Sequence, residues 1–365
     1  MKRNQQLDGL RGLAILWVVG YHLLTCYGVH PWLEALPVVP ALLRLGWIGV
    51  SLFFAISGYL ITGILVGNKE RPGYFAAFVV KRSARILPAY ALLIATFLLA
   101  TFFWDPLTAA PVTNREIPLW SHLAFLQNFP MAATGYLGND WLRVTWSLAV
   151  EIQYYVLAAI LVWITPVRRL PLLLALLALG ALALRCWLQG TGANQAALMV
   201  LTPCRMDSFA LGGLVAVTGI HFRPATRFYG AVALGIISTL LFAAYANGLF
   251  GAYSKPLIPF YYTALSVGSA ALVAMAAEAR TALRGLQQPI LVNIGRTSYF
   301  IYLFHLPVAL VAYEIFRHSR PDAQSNTGLG MALAAFLSCW LLANLSWKFV
   351  ESPIIDYGNR RLKNT

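Results

Sequence analysis

Apolar residues run through the chain in long stretches, each closed by charge, proline or glycine. They cover about 10–27, 46–66, 86–104, 142–164, 170–188, 205–220, 228–246, 256–277, 291–316 and 328–349. A hydrocarbon core of about 30 Å takes roughly 20 residues per helical crossing, so each stretch reads as a membrane span, the sixth being the shortest. The pattern predicts an all-α integral membrane protein, a bundle of about ten transmembrane helices. Composition narrows the class further: 59% of residues are hydrophobic and only 11% charged, with a mean hydropathy of +0.68. Intrinsic disorder, a coiled coil and a secreted disulfide scaffold are excluded together.

The charges fix an expected orientation. An even number of crossings puts both termini on one side. With N- and C-termini cytoplasmic, the outer segments carry only Arg44, Arg115, Arg143, Lys255, Arg317 and Arg320, while most remaining Lys and Arg fall inside. The net charge of +14 therefore has a topological origin and calls for no nucleic acid partner. Lys2 and Arg3 ahead of an apolar run imitate a signal peptide, but Asp8 and Arg11 interrupt it and no small-x-small site follows Tyr27, so a retained first helix is expected. The expected organisation is one transmembrane domain over 1–350 and a short basic cytoplasmic tail over 351–365, with no appended soluble domain. In the longest outer loop, 105–141, the stretch 119–129 is apolar enough for an interfacial helix. Cys26, Cys186, Cys204 and Cys339 have no C-x-x-C spacing and read as small core residues, a disulfide being the less favoured alternative; the six histidines lack metal-ligand spacing, so no metal site is expected.

Polar residues inside the spans carry the functional signal, because a charge at mid-bilayer costs at least about 2.5–3.5 kcal/mol. Arg11 and His22 stand eleven positions apart on the first helix. Eleven steps turn about 1100° and rise about 16 Å, so the two side chains share one stripe, with Ile15 and Val18 between them as the expected wall of a shaft. Glu151 on the fourth helix, Ser57 on the second and His305 on the ninth fall at a depth comparable with His22. Groups of this kind should face the bundle interior or a watery cavity. At the cytoplasmic mouth, Lys81-Arg82-Ser-Ala-Arg85 leads into the third helix, and Arg82 and Arg85 share a face. With Arg11 they would form a cationic collar suited to phosphate. Collar, shaft and buried base together fit a long phosphorylated donor such as acyl-coenzyme A.

Each of these residues also has a plainer reading. Arg82 and Arg85 can be topology anchors, His22 a satisfied polar residue between helices, and Ser57 a small packing residue. His305 can satisfy a carbonyl freed by Pro307, and Arg205 and Asp207 can pair with each other at the outer rim. Glu351 would tie the collar together, and His30, His122 and His318 read as loop residues without a role.

The opening Gln6-Leu-Asp-Gly-Leu-Arg-Gly-Leu-Ala-Ile-Leu-Trp-Val-Val-Gly-Tyr-His22 resembles the signature of the acyltransferase-3 family, bacterial integral-membrane O-acyltransferases acting on surface glycans. Val50-Ser-Leu-Phe-Phe-Ala-Ile-Ser-Gly-Tyr-Leu60, Lys81-Arg-Ser-Ala-Arg-Ile-Leu-Pro88, Trp146-Ser-Leu-Ala-Val-Glu151, Ser298-Tyr-Phe-Ile-Tyr-Leu-Phe-His305 and Phe349-Val-Glu-Ser-Pro353 follow in family order. The resemblance implies acyl-coenzyme A, usually acetyl, as donor and a sugar hydroxyl as acceptor. It further implies that Arg11 and His22 are essential, and that Arg82 and Arg85 serve the donor.

The expected reaction has acetyl-coenzyme A as a cosubstrate, with no permanently bound cofactor. Its phosphates would rest on Arg11, Arg82 and Arg85. His22 would act as general base, oriented by Glu151, and His305 or the Tyr299 and Tyr302 hydroxyls would polarise the thioester. A transient acyl-His is the variant. Arg205, Asp207 and Tyr302 are expected on the acceptor side as substrate-binding residues. Expected partners are a glycan or lipid-linked sugar, membrane lipids and glycan-assembly proteins, at the bacterial inner membrane. The competing readings are an acyl conduit feeding a partner enzyme and a proton-coupled transporter using His22, Glu151 and His305.

Overall fold

The computed structural model describes residues 4–36, 39–103, 117–219, 257–277, 283–317 and 321–362. Among these residues every regular element is a helix: α1 (Gln5–Leu24), α2 (Gly49–Asn68), α3 (Tyr74–Phe103), α4 (Trp146–Ile164), α5 (Leu170–Gly190), α6 (Thr202–Thr218), α7 (Ile258–Ala277), α8 (Pro289–Arg296), α9 (Ser298–Arg317), α10 (Asn326–Ser346) and α11 (Ser352–Arg361). Nine spans among the described residues are long and apolar enough to cross a membrane, which makes this a multi-pass membrane protein. The remaining expected span, 228–246, lies outside the described residues.

Burial ranks the helices from centre to rim. The α2 span has 72% of its window buried, whereas those of α5 and α10 have 22% and 28%. Leu172, Leu176 and Leu179 on α5, and Leu333, Leu337 and Leu341 on α10, are exposed at helical spacing, as lipid-facing stripes require. At the centre, helix backbones touch. A Cβ on Gly58 would lie 2.1 Å from the Phe209 carbonyl oxygen, and one on Gly295 would lie 1.7 Å from that of Asp8. Only glycine permits these α2–α6 and α1–α8 approaches, the usual means of close packing where lipid supplies no hydrophobic drive. The start of α1 is fixed by Asn4, whose Oδ1 accepts from the Gln6 amide at 2.9 Å while its Nδ2 donates to Ala276 of α7 at 2.9 Å.

Several boundaries differ from those expected. The third helix starts at Tyr74, so Lys81, Arg82 and Arg85 lie inside α3 rather than ahead of it. Lys and Arg are good helix formers, and no Gly or Pro separates Tyr74 from Leu87. The ninth stretch divides at Thr297 into α8 and α9. The boundary drawn at 350/351 is no break, because a π-helical turn, Trp347–Glu351, carries α10 directly into α11. The single interfacial helix over 119–129 is instead two short helices, Leu119–Leu123 and Asn128–Thr134, parted at Phe125 with φ 55°. Their junction is anchored from beneath, Gln127 donating to the Thr145 carbonyl at 2.8 Å and Asn128 to that of Val200 at 3.1 Å with both side chains fully buried, while Trp120, Leu123 and Phe129 are exposed.

Candidate active site

Many of the polar residues of the spans line two chambers. One, of about 90 Å³, is lined by Arg11 of α1, Ser57 of α2, Arg82 and Arg85 of α3, and Glu151 and Tyr155 of α4. The other, of about 290 Å³, is lined by His22 together with Trp47, Arg143, Trp146, Arg205 and Tyr262. Val50 and Tyr302 line both, so the chambers meet there. Arg11 and His22 sit near opposite ends of α1, about 16 Å apart along its axis.

His22, which lines the larger chamber, is partnered from behind by His305, which lines neither chamber. His305 Nδ1 lies 3.1 Å from the Ile301 carbonyl and 2.8 Å from that of Tyr302, and its Nε2 lies 3.0 Å from His22 Nδ1. Carbonyls only accept, so Nδ1 of His305 carries the proton and, in the neutral ring, Nε2 holds a lone pair. His22 must then donate from Nδ1, which leaves its own Nε2 as the basic atom. The tautomers are thus assigned from the acceptors present. His305 does not use the carbonyl that Pro307 frees; that group belongs to Leu303, four residues before the proline.

In the smaller chamber Glu151 is held by its neighbours. Its Oε1 accepts from Ser57 Oγ and from Tyr155 Oη, at 2.5 Å each. The expected Glu151–His22 contact is therefore corrected: His305 occupies the orienting position at His22, and Glu151 faces the arginines. The guanidinium of Arg82 lies 5.7 Å from the Tyr155 ring and 5.9 Å from that of Phe78, and its Nε has no hydrogen-bond partner among the described residues. Arg11 stands 4.0 Å from Asp8. Glu351, 2% exposed, accepts from Ser346 at 3.0 Å.

Tyr302 closes the junction. Its hydroxyl lies 2.6 Å from Ser147 Oγ and donates to the Val144 carbonyl at 3.0 Å. The straight shaft expected along α1 is absent, since Ile15 and Val18 are fully buried in the apolar core and line neither chamber. The two chambers share lining residues on α2 and α9 instead.

Arg205 and Asp207 are not paired. Two positions apart on α6, they point to different sides of the helix. Asp207 is fully buried against Arg185 at 2.6 Å, and Arg185 also donates to Thr263 at 2.6 Å and to the Cys204 carbonyl. Asp207 lines neither chamber, so its expected place on the acceptor side is corrected to a buried ion pair. Arg205 donates from Nη2 to Ser51 Oγ at 2.6 Å and has its guanidinium 4.6 Å from the Tyr262 ring.

The four cysteines are free. His122 is no idle loop residue: it is buried against Thr145 Oγ1 at 3.2 Å, and its carbonyl accepts from Tyr90 Oη at 2.9 Å. His30 meets Asn326 at 3.0 Å, and His318 lies outside the described residues.

Residues 4–344 match the profile of a family described as an acyltransferase domain, the acyltransferase-3 family. The chain belongs to this family. It is 26% identical to the peptidoglycan O-acetyltransferase OatA of Listeria monocytogenes, with 96% of this chain and 56% of that protein aligned. It is 24% identical to the O-acetyltransferase OatA of Staphylococcus aureus, covering 57% of it, and 28% identical to the provisionally named membrane-bound transacylase BcsY of Komagataeibacter xylinus, covering 84%. The chain thus spans little more than half the length of the two OatA proteins. No solved structure matches.

Sequence reasoning missed Ser147, Ser51 and Arg185 as members of these networks. Ser147 had a signal, since it lies four residues before Glu151 and so shares its face. Arg185, a charge within an apolar stretch, carried its own.

Proposed function

We propose that this acyltransferase moves an acetyl group from cytoplasmic acetyl-coenzyme A to a hydroxyl of an extracytoplasmic or lipid-linked glycan in the bacterial inner membrane. The observation that carries this reading is the meeting of an arginine chamber and a histidine chamber at Val50 and Tyr302.

The arginine chamber faces the cytoplasm. Arg11, Arg82 and Arg85 take the donor phosphates at its mouth, where guanidinium groups match phosphate oxygens. At about 90 Å³ the chamber has room for the slim thioester end alone, so the nucleotide stays outside. The acetyl group passes Tyr302 to reach His22. The acceptor enters the aromatic chamber, where Trp47, Trp146 and Tyr262 offer faces for a sugar ring. His22 Nε2 removes the hydroxyl proton as the oxygen attacks the thioester carbon. His305 acts on His22 as a carboxylate acts on the histidine of a serine-protease triad, holding the tautomer. Glu151 acts through Ser57 and Tyr155, setting the shape of the donor chamber rather than orienting the base.

The test is to give the purified protein, in liposomes, acetyl-labelled coenzyme A with peptidoglycan fragments and neutral and acidic oligosaccharides. Label on a glycan supports the reading. Label retained on the protein or passed to a partner points to a conduit, and no release of coenzyme A points to a transporter; either overturns it.

A further inference from the structure

We infer that Arg205 stabilises the oxyanion formed when the acyl carbonyl is attacked, a role that rests on the acyl-transfer reading above. Three observations converge on it. The side chain is 1% exposed and lines the histidine chamber, yet its Nε and Nη1 have no hydrogen-bond partner among the described residues. A buried guanidinium with unmade hydrogen bonds is costly, and Asp207, the acid two positions away, is committed to Arg185. The remaining positive charge therefore awaits a negative one.

Position says which. Arg205 is anchored at Ser51, the residue next to Val50, and its guanidinium lies 5.6 Å from the ring of Phe54, which lines the arginine chamber. It stands beside the junction, where the thioester would meet His22, and aromatic rings cover its faces. Arg143, the other cation lining this chamber, is paired with Asp140 at 2.8 Å, and the neighbouring hydroxyl and imidazole donors are engaged as well. Tyr299 donates to the Ile86 carbonyl at 3.0 Å, Tyr302 to that of Val144, and His305 is engaged at both nitrogens.

The step is balanced as follows. The acceptor oxygen bonds to the thioester carbon and its proton passes to His22 Nε2, while the carbonyl electron pair moves onto oxygen beside Arg205. The oxyanion collapses, the carbon–sulfur bond breaks, and the thiolate takes the proton from His22, giving an acetyl ester and free coenzyme A. A fixed cation of this kind stabilises the transition state without reorganisation.

Thiol release from acetyl-coenzyme A by the purified full chain, with water and with peptidoglycan fragments as acceptors, is the test. Arg205→Gln is expected to lower kcat about 10²–10³-fold with both acceptors, with KM for acetyl-coenzyme A within about two-fold, and Arg205→Lys to recover part of the loss. An unchanged kcat, or a raised acceptor KM alone, overturns the assignment; the second result would make Arg205 an anchor for an acidic acceptor. Should Arg205→Gln fail to fold, Ser51→Ala releases the guanidinium while keeping its charge. It is expected to cost roughly tenfold in kcat with both acceptors, and no loss overturns the proposal. Absence of thiol release by the unaltered protein instead defeats the acyl-transfer reading, and this inference with it.

Discussion

His22 and His305 face each other across α1 and α9, Nδ1 to Nε2, at 3.0 Å. Because His305 is itself fixed by two backbone carbonyls, proton positions are set in order from the α9 backbone to His22, and one ring nitrogen of His22 is left basic. In the proposed mechanism a histidine pair takes the place of the carboxylate–histidine pair of the familiar triads. An uncharged orienting partner avoids placing an acid beside the base in the membrane interior, where an isolated charge is expensive.

His22→Ala is expected to abolish acetyl transfer while the protein still inserts and folds. His305→Ala should leave residual activity, with kcat lowered by about 10²–10³-fold and an altered pH–rate profile, because His22 loses its enforced tautomer. Thiol-release assays across pH separate the two. Equal and complete loss in both variants would place the two rings in one catalytic unit rather than in base and support.

Arg82→Ala combined with Arg85→Ala should raise the KM for acetyl-coenzyme A by about 10–100-fold, with kcat altered by no more than a few-fold. An unchanged KM would reduce the pair to topology anchors.

Tyr302→Phe keeps the ring at the junction but removes the hydrogen bonds to Ser147 and Val144. A loss of roughly 1 kcal/mol in stability is expected. A rise in acetyl-coenzyme A hydrolysis relative to glycan transfer should accompany it, because the partition between chambers is no longer latched. An unaltered hydrolysis-to-transfer ratio would show that the hydroxyl has no gating part.

Arg185→Ala should destabilise the bundle by about 3–5 kcal/mol, since Asp207 would remain buried and unpaired. The double variant Arg185→Met, Asp207→Asn should recover much of that loss. Thermal unfolding in detergent measures both, and equal stability of single and double variants would remove the ion pair as the cause.

Burial pushes the His122 imidazole down to about 4 from its ordinary 6.5. Between those values the unfolded chain binds a proton that the folded chain does not, so this residue's stabilising contribution falls as pH is lowered through that window. The Tm of His122→Gln should therefore decline less steeply than that of the unaltered protein from pH 6.5 towards 4. Parallel curves would exclude His122 as a source of the acid sensitivity.

Much of the architecture was legible in the chain. Long apolar stretches predicted the spans, and a fixed rise per residue gave each polar residue its position along its own helix, but not a common depth: Ser57 and Glu151 line the chamber of Arg11, whereas His22 lines the other. Partnership depends on rotation and separation between helices, which local periodicity does not report. Hence Glu151 was expected at His22 but bonds Ser57 and Tyr155, and Asp207 was expected with Arg205 but pairs with Arg185.

The sequence by itself determined the membrane class, the described spans, though with the third helix starting twelve residues early and the ninth stretch split at Thr297, and the positions of its polar residues along each helix, because hydropathy and helical rise act over neighbouring residues. Only the tertiary structure decided that these residues divide into two chambers, that Tyr302 stands between them, and that Arg205 keeps unsatisfied donors. Those outcomes follow from glycine-mediated contacts, Gly58 against Phe209 and Gly295 against Asp8, which set how closely distant helices approach and so which side chains can meet.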